Sequence, residues 1–343
     1  MATGKTNILL IYTGGTIGMT KDSKTGALKA FDFDNLLSYI PELSLLDCAI
    51  TTISFRKPID SSNMNPEYWK MLATIIFDRY SQFDGFVVLH GSDTMSYTAS
   101  ALSFMLENLS KPIIFTGSQL PIGDLRTDAK ENLITSIEIA SLQQKGKPLL
   151  NEVCLYFEYK LYRANRTTKI NAEHFQAFAS PNYPPLAESG VHLKIHKEYL
   201  LPKPRKNALR LHTSLDNSVA VVKLFPGISE KLLKCIFTNP AIKAIILETY
   251  GAGNAPTDSW FFKLLEESIQ RGMYIINVTQ CSGGSVNMGQ YETSAQLKTM
   301  GIIDGKDITT EAALAKAMYL LGSDVERKVF KTIYETSLRG EMV

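Results

Sequence analysis

Short runs of apolar, β-branched residues alternate along the chain with stretches of helical periodicity. The strand-like runs are Asn7–Tyr12, Gly85–Leu89, Pro112–Thr116, Val153–Phe157, Val219–Phe225, Ile242–Glu248 and Met273–Val278. Most are apolar throughout, without the two-faced alternation of a half-exposed sheet. That pattern predicts strands covered on both sides, as in a parallel sheet. Between them, Asn65-Pro66 supplies a helix N-cap and a proline at the first helical position. Trp69, Leu72, Ala73, Ile76, Phe77 and Tyr80 then form an amphipathic stripe. Tyr97 to Asn108 is apolar almost all round and predicts a buried helix. Asp128, with Glu131 three residues on, predicts a capping box opening a third helix. Strand and helix in alternation predict an α/β fold with mainly parallel sheets.

The pattern breaks at Gly190–Thr213. This segment carries Pro202 and Pro204, and Lys194, Lys197, Lys203, Arg205, Lys206 and Arg210 against the single acid Glu198. With Tyr199 alone for bases to stack on, it reads as a solvated linker rather than a nucleic-acid patch. The expected organisation is a larger N-terminal α/β domain over 1–190, a linker over 191–210 and a smaller α/β domain over 211–343. The length of 343 residues suits two domains. A balance of 36 basic against 34 acidic side chains gives no electrostatic case for nucleic acid or an anionic membrane. No run approaches 18 apolar residues, and nothing before Asn7 resembles a signal peptide. Cys48, Cys154, Cys235 and Cys281 form no C-x-x-C pair, which predicts reduced, mostly buried thiols in a cytoplasmic protein. The N-x-[ST] sequons at Asn108, Asn165 and Asn277 read as chance.

Open α/β sheets bind ligands beyond the carboxyl ends of their strands, so strand exits are where chemistry is sought. After Tyr12 comes Thr13-Gly14-Gly15-Thr16-Ile17-Gly18, either a plain tight turn or a loop presenting the Thr16 hydroxyl. After Leu89 comes His90-Gly91-Ser92-Asp93-Thr94, either a helix cap or a site where Asp93 holds an ammonium and Ser92 passes a proton. His90 is read as a strand-end residue rather than a catalytic base. Asp60-Ser61-Ser62-Asn63-Met64 is either a capping turn or a cradle of hydroxyls and N–H groups for a carboxylate. Arg163-Ala164-Asn165-Arg166-Thr167-Thr168-Lys169 reads as solvated surface, unless Lys169 shares a site with Asp93. Gly251-Ala252-Gly253-Asn254-Ala255-Pro256 lacks the third glycine and the downstream acid of a dinucleotide fingerprint. No His/Cys/Asp/Glu set has metal-ligand spacing.

Taken together and in this order, the clusters resemble the bacterial-type L-asparaginases, and among them the cytoplasmic type I branch. The similarity runs from Ile11 to about Glu341. Tyr12 to Met19 is similar to the family's first active-site signature, Gly85 to Leu109 to its second, Asp60-Ser61-Ser62 to its substrate-binding turn, and Asn165 to Lys169 to the segment of its active-site lysine. The resemblance implies Thr16 as nucleophile, attacking the side-chain amide of asparagine to give a β-aspartyl ester. Ser92, Asp93 and Lys169 would handle its proton. For Lys169 to accept that proton, burial or a second cation must offset the neighbouring carboxylate. N–H groups of the Gly91–Ser92 turn would stabilise the oxyanion. Asp93 would bind the substrate ammonium, and Ser61 and Ser62 its α-carboxylate. No cofactor or metal is implied; a homodimer or homotetramer is.

The chain departs from the family pattern at three places. Ser92 stands where threonine is usual, which keeps the hydroxyl and frees χ1. Lys21–Phe31 lacks the tyrosine that many members carry in the mobile loop, with Ala27-Leu28 near its place. Glu248 stands where some type I enzymes have an arginine that helps bind a second, regulatory asparagine, which predicts no activation by asparagine. Two competing functions remain at this stage. One is an amidase for glutamine or a glutamyl-linked substrate, such as the asparaginase-like subunit of a tRNA amidotransferase, which would be expected to carry an extra N-terminal module. The other is a non-catalytic amino-acid-binding sensor, which would not need Thr16, Ser92, Asp93 and Lys169 together.

Overall fold

The computed structural model describes residues 5–21, 28–30, 40–204, 207–289, 292–323 and 325–343. The chain divides into two compact units, Met1–Thr213 and Ser214–Val343. The first is built on an eight-stranded sheet: β1 (Thr6–Tyr12), β2 (Cys48–Ser54), β3 (Gly85–Leu89), β4 (Ile113–Thr116), β5 (Val153–Phe157), β6 (Lys160–Arg163), β7 (Ala187–Glu188) and β8 (Lys194–Ile195). Their order across the sheet is β8-β7-β6-β5-β4-β3-β1-β2. The five strands from β5 to β2 are parallel, and β6, β7 and β8 extend the sheet as an antiparallel meander.

Every residue of β3 and β5 is buried, as their unbroken apolar runs demand of strands covered on both faces. β2 is an edge strand whose polar residues Thr51 and Thr52 interrupt its apolar run, so it escapes a search for buried strands. Helix α1 (Pro66–Arg79) starts where expected: the Asn65 side chain accepts from the Glu67 and Tyr68 N–H groups, a cap worth about 1 kcal/mol. Its stripe buries Trp69, Leu72, Ala73 and Ile76, while Phe77 lies at the exposed edge. Helix α2 (Met95–Met105) has ten of its eleven residues buried, which its small residues Ser96, Ala99, Ser100 and Ala101 permit by close approach. It ends short of Asn108, the chain turning into the bridge that Leu106–Glu107 makes with Arg210–Leu211.

Helix α3 (Ala129–Ser141) forms, but without the capping box. The Asp128 carboxylate accepts instead from the N–H groups of Gln119 and Leu120 and from Asn132 Nδ2. Glu131 accepts from Tyr156 Oη and Thr135 Oγ1. Non-local partners have outbid the local cap.

Of the expected linker, Lys194–Ile195 pairs with Ala187–Glu188, and Leu201 N–H donates to the Glu152 carboxylate. Arg205 and Lys206 lie outside the described residues, as does most of the Lys21–Phe31 loop. The second unit holds a parallel sheet of β9 (Val219–Lys223), β10 (Ala244–Thr249), β11 (Tyr274–Thr279) and β12 (Ile303–Asp304), ordered as in the chain. Its helix Thr310–Gly322 presents Lys316 to the interior, where it donates to Glu341 and to the Thr336 carbonyl with both charged side chains fully buried. Of the four free cysteines, Cys48 and Cys154 are buried, whereas Cys235 and Cys281 are exposed, contrary to expectation. No helix among the described residues is long and apolar enough to cross a membrane.

Candidate active site

The strand order around β1 fixes where a ligand belongs. β2 follows β1 on one side and β3 lies on the other, so the chain reverses its direction of travel across the sheet there, and the crevice opens at the carboxyl ends of β1 and β3. Tyr12, Ser54, Leu89 and Thr116 end their strands in register. Thr16 follows the first of these ends, and Ser92 and Asp93 the third.

Backbone contacts then draw the exit loops together. Thr13 N–H and Oγ1 both donate to the Leu89 carbonyl, Ile59 N–H donates to the Thr13 carbonyl, and Thr94 Oγ1 donates to the Ser61 carbonyl. Gly15, at φ 94°, backs directly onto Gly91; a β-carbon there would stand 2.5 Å from the Gly91 nitrogen. Gly91 in turn backs onto Ser61, whose Oγ would lie 2.5 Å from a β-carbon. Only glycine fits at either position. Thr16 opens a single 3-10 turn, Thr16–Gly18, whose carbonyls are tied down by Tyr12: its Oη donates to Gly18 O at 3.1 Å and Gly15 O at 3.5 Å. Burial pushes the Tyr12 phenol up to about 12, so it stays a donor at any physiological pH.

Lys169 arrives from the far side of the unit. It sits on a two-residue strand, Thr168–Lys169, paired with Phe178–Ala179. The turn before it is moored to α2 by the Ser96–Thr167 hydroxyl pair at 2.9 Å. Because α2 begins just after Asp93, this mooring brings Lys169 Nζ to Asp93 Oδ1 at 2.6 Å and Ser92 Oγ at 2.8 Å. The lysine is 18 % exposed and Asp93 62 %, so one partner faces the protein and the other the solvent side of the crevice.

Arg163 and Arg166, read from sequence as solvated, are buried at 4 % and 2 % exposure. Arg163 pairs with Glu152 at 2.6 Å, and both guanidinium groups lie over the Tyr183 ring. A run of like charges is thus part of the core, because an acid and a π face distant in sequence compensate it.

Within the Asp60–Met64 turn, Asp60 Oδ1 accepts from Ser62 N–H at 2.8 Å, and the Asn63 and Met64 N–H groups donate to Asp60 O and Ser61 O. The N–H groups of Ser62, Asn63 and Met64 are therefore engaged within the turn and do not face a carboxylate. Ser61 is buried against Gly91, and Ser62 is exposed.

His90 is buried, its Nδ1 at 2.7 Å from the Gly91 carbonyl, and forms no catalytic triad with Ser92 and Asp93. Gln119, unmarked in the sequence reading, accepts from Ser92 Oγ at 3.3 Å, while its Nε2 donates to the Ala172 and His174 carbonyls. It lies just past the end of β4, and the strand-exit rule applied to that strand would have found it. The Gly251–Pro256 loop is braced within its own unit by Asn277 Nδ2 on the Gly253 carbonyl and Thr279 Oγ1 on the Gly251 carbonyl. Among the described residues, no group of three or more His, Cys, Asp or Glu side chains could hold a metal ion.

A strand-exit crevice in a doubly wound sheet, with hydroxyls, a carboxylate and a lysine converging in it, defines a hydrolase-like α/β protein. Residues 7–200 match the family described as "Asparaginase, N-terminal", and residues 218–334 the "Glutaminase/Asparaginase C-terminal domain". The chain belongs to the asparaginase family. It is 43% identical to L-asparaginase 1 of Escherichia coli (strain K12) over 340 residues, 98% of either chain. It is 38% identical to the 60 kDa lysophospholipase of Mus musculus, over 98% of this chain and 62% of that one. The crystal structure of L-asparaginase I from Vibrio cholerae superposes with a TM-score of 0.90 at 39% identity, covering 99% of each chain.

Proposed function

We propose that the chain hydrolyses the side-chain amide of L-asparagine to L-aspartate and ammonia, with Thr16 as the nucleophile. The observation that supports this reading most directly is the double hydrogen bond from Lys169 to Ser92 and Asp93, beside the loop that carries Thr16.

A threonine hydroxyl needs a base to become a competent nucleophile. Ser92 Oγ has two lone pairs, one facing Lys169, and its own proton lies toward Gln119. The second lone pair takes the Thr16 proton as Thr16 Oγ attacks the amide carbon. With Lys169 as the neutral amine, the Ser92 hydroxyl turns from Gln119 to donate to Nζ, and that proton passes to the lysine in the same event. The carbonyl oxygen gathers charge opposite the Gly91–Ser92 turn, where a single N–H donor is worth about 3 kcal/mol. The C–N bond breaks, and ammonia leaves with the relayed proton. Water then cleaves the β-aspartyl ester by the same relay in reverse. Asp93 holds the substrate ammonium, its exposed carboxylate reaching toward solvent, while Ser61 and Ser62 hold the α-carboxylate on the turn that Asp60 shapes.

Ammonia and aspartate release from L-asparagine, run beside L-glutamine at neutral pH, tests the reading. Equal yields of ammonia and aspartate, with little from glutamine and none from Thr16→Ala, are expected. No release by the folded wild-type chain would overturn it in favour of another amide or a binding role.

We further propose a cytoplasmic location, supported by four cysteines that are all free. We also propose a homodimer or homotetramer, a reading supported by the exposed apolar side chains Val221, Phe225 and Leu232 of the second unit. Light scattering of the purified chain tests the latter; a monomer would refute it.

A further inference from the structure

The Gly91–Ser92 peptide presents a mechanical difficulty. It links a glycine to the turn that opens α2, with Gly91 at φ −65° and ψ 141°. Glycine is the residue least able to hold one backbone orientation, and rotation about its ψ would swing the Ser92 N–H away from the crevice. A side chain cannot stiffen the position, because a β-carbon there would meet Ser61 Oγ. Some other group must hold the peptide.

We propose that His90 is a positioning residue whose Nδ1–H pins the Gly91 carbonyl and so aims the Ser92 N–H at the oxyanion. The inference rests on the asparaginase reading above and on a planar trans peptide, in which C=O and N–H point in opposite directions, so fixing one fixes the other. The hydrogen bond is short, 2.7 Å, and buried. Its acceptor is a carbonyl, so Nδ1 carries the proton. His90 is itself immobile: its N–H donates to the Thr116 carbonyl, its carbonyl abuts Gly117, and its ring meets the edge of Phe115 with centroids 6.0 Å apart. Nε2 is buried without a hydrogen-bond partner among the described residues, so no second bond pulls the ring elsewhere. Desolvation lowers the histidine to about 4, keeping it neutral with a single ring proton at working pH. A carbonyl that accepts a hydrogen bond also polarises its peptide, making the N–H on the other side a better donor.

Three measurements test the proposal. In wild-type enzyme labelled with 15N-histidine, NMR should show one slowly exchanging neutral imidazole in the Nδ1–H tautomer; an Nε2–H tautomer at His90 would overturn the idea without any variant. His90→Leu removes the donor and should lower kcat at least about tenfold with KM within about threefold, since losing an oxyanion donor outright costs about 10²–10³. His90→Asn places an amide N–H near Nδ1 and should restore kcat to within about threefold of wild type. Unchanged kcat in His90→Leu, or equal losses in both variants, would refute the positioning role while leaving the asparaginase reading intact. Absence of wild-type turnover would instead remove that reading, and the role of His90 with it.

Discussion

Gly15 and Gly91 lie back to back, so that a β-carbon on Gly15 would stand 2.5 Å from one Gly91 backbone atom and 2.6 Å from the next. These glycines lie in the loops that leave β1 and β3, and their contact sets how closely the Thr16 turn approaches the Gly91–Ser92 turn. Gly15→Ala must push two backbones apart and adopt a positive φ, a combined cost of about 2–3 kcal/mol. Turnover should fall far more than the urea midpoint, because a shift of 1 Å at the reacting atoms is enough to lose about 10²-fold in rate. Paired kinetic and urea-unfolding measurements on the variant check this.

Ser92 keeps the hydroxyl of a threonine and lacks its methyl. Its contacts with Lys169 and Gln119 both run through that oxygen. Ser92→Thr should therefore keep activity, and Ser92→Ala should lose about 10²-fold or more in kcat, the usual scale for a proton-handling group. An unchanged rate in Ser92→Ala would take Ser92 out of the relay.

His90 also writes itself into acid stability. An unfolded histidine titrates near 6.5, and the buried ring is lowered to about 4. As pH falls below about 6.5 the unfolded chain takes up a proton that the folded chain refuses, so stability drops until pH reaches about 4 and then levels off. The full effect is about 3 kcal/mol. Urea midpoints measured from pH 7 to pH 4 should fall less steeply in His90→Asn than in wild type.

Glu248 lies one residue before the end of β10, a largely buried carboxylate that accepts from Thr310 Oγ1 at 2.7 Å, with Lys223 Nζ at 3.9 Å. A second asparagine brought there would meet its own charge repeated. Initial rates should follow a hyperbola in asparagine; a sigmoidal curve would show activation after all.

Lys316 and Glu341 are wholly buried against one another. Lys316→Met leaves the Glu341 carboxylate buried without its cation, accepting from the Leu338 and Arg339 N–H groups. Breaking a buried pair from one side costs about 3–5 kcal/mol. The double variant Lys316→Met, Glu341→Leu should recover much of that loss in thermal unfolding.

How far the sequence could be read depended on how local each determinant is. Gly85–Leu89 and Val153–Phe157 match their strands residue for residue, since a strand buried on both faces declares itself by composition alone. Asn65 caps as expected, its partners lying two and three residues away. Cys48–Ser54 went unseen because an edge strand need not be apolar throughout, and Asp128 misled because its partners come from the β4 exit. Arg163 and Arg166 looked solvated for want of any local sign of Glu152 and Tyr183. At the site, the strand exits with Thr16, Ser92 and Asp93 were legible. The engaged N–H groups of the Asp60 turn, the Gln119 contact and the His90 bond were not, for each depends on which loops the sheet brings side by side.

The reach of Lys169 to Asp93 spans 76 residues of chain. Closing a loop of that length costs conformational entropy before any contact returns it. The β3 exit and α2 draw on neighbouring residues, whereas the contact with the lysine closes across β4, α3, β5 and β6. With Lys169 in the role proposed for it, turnover is expected to return no earlier than helical circular dichroism during refolding.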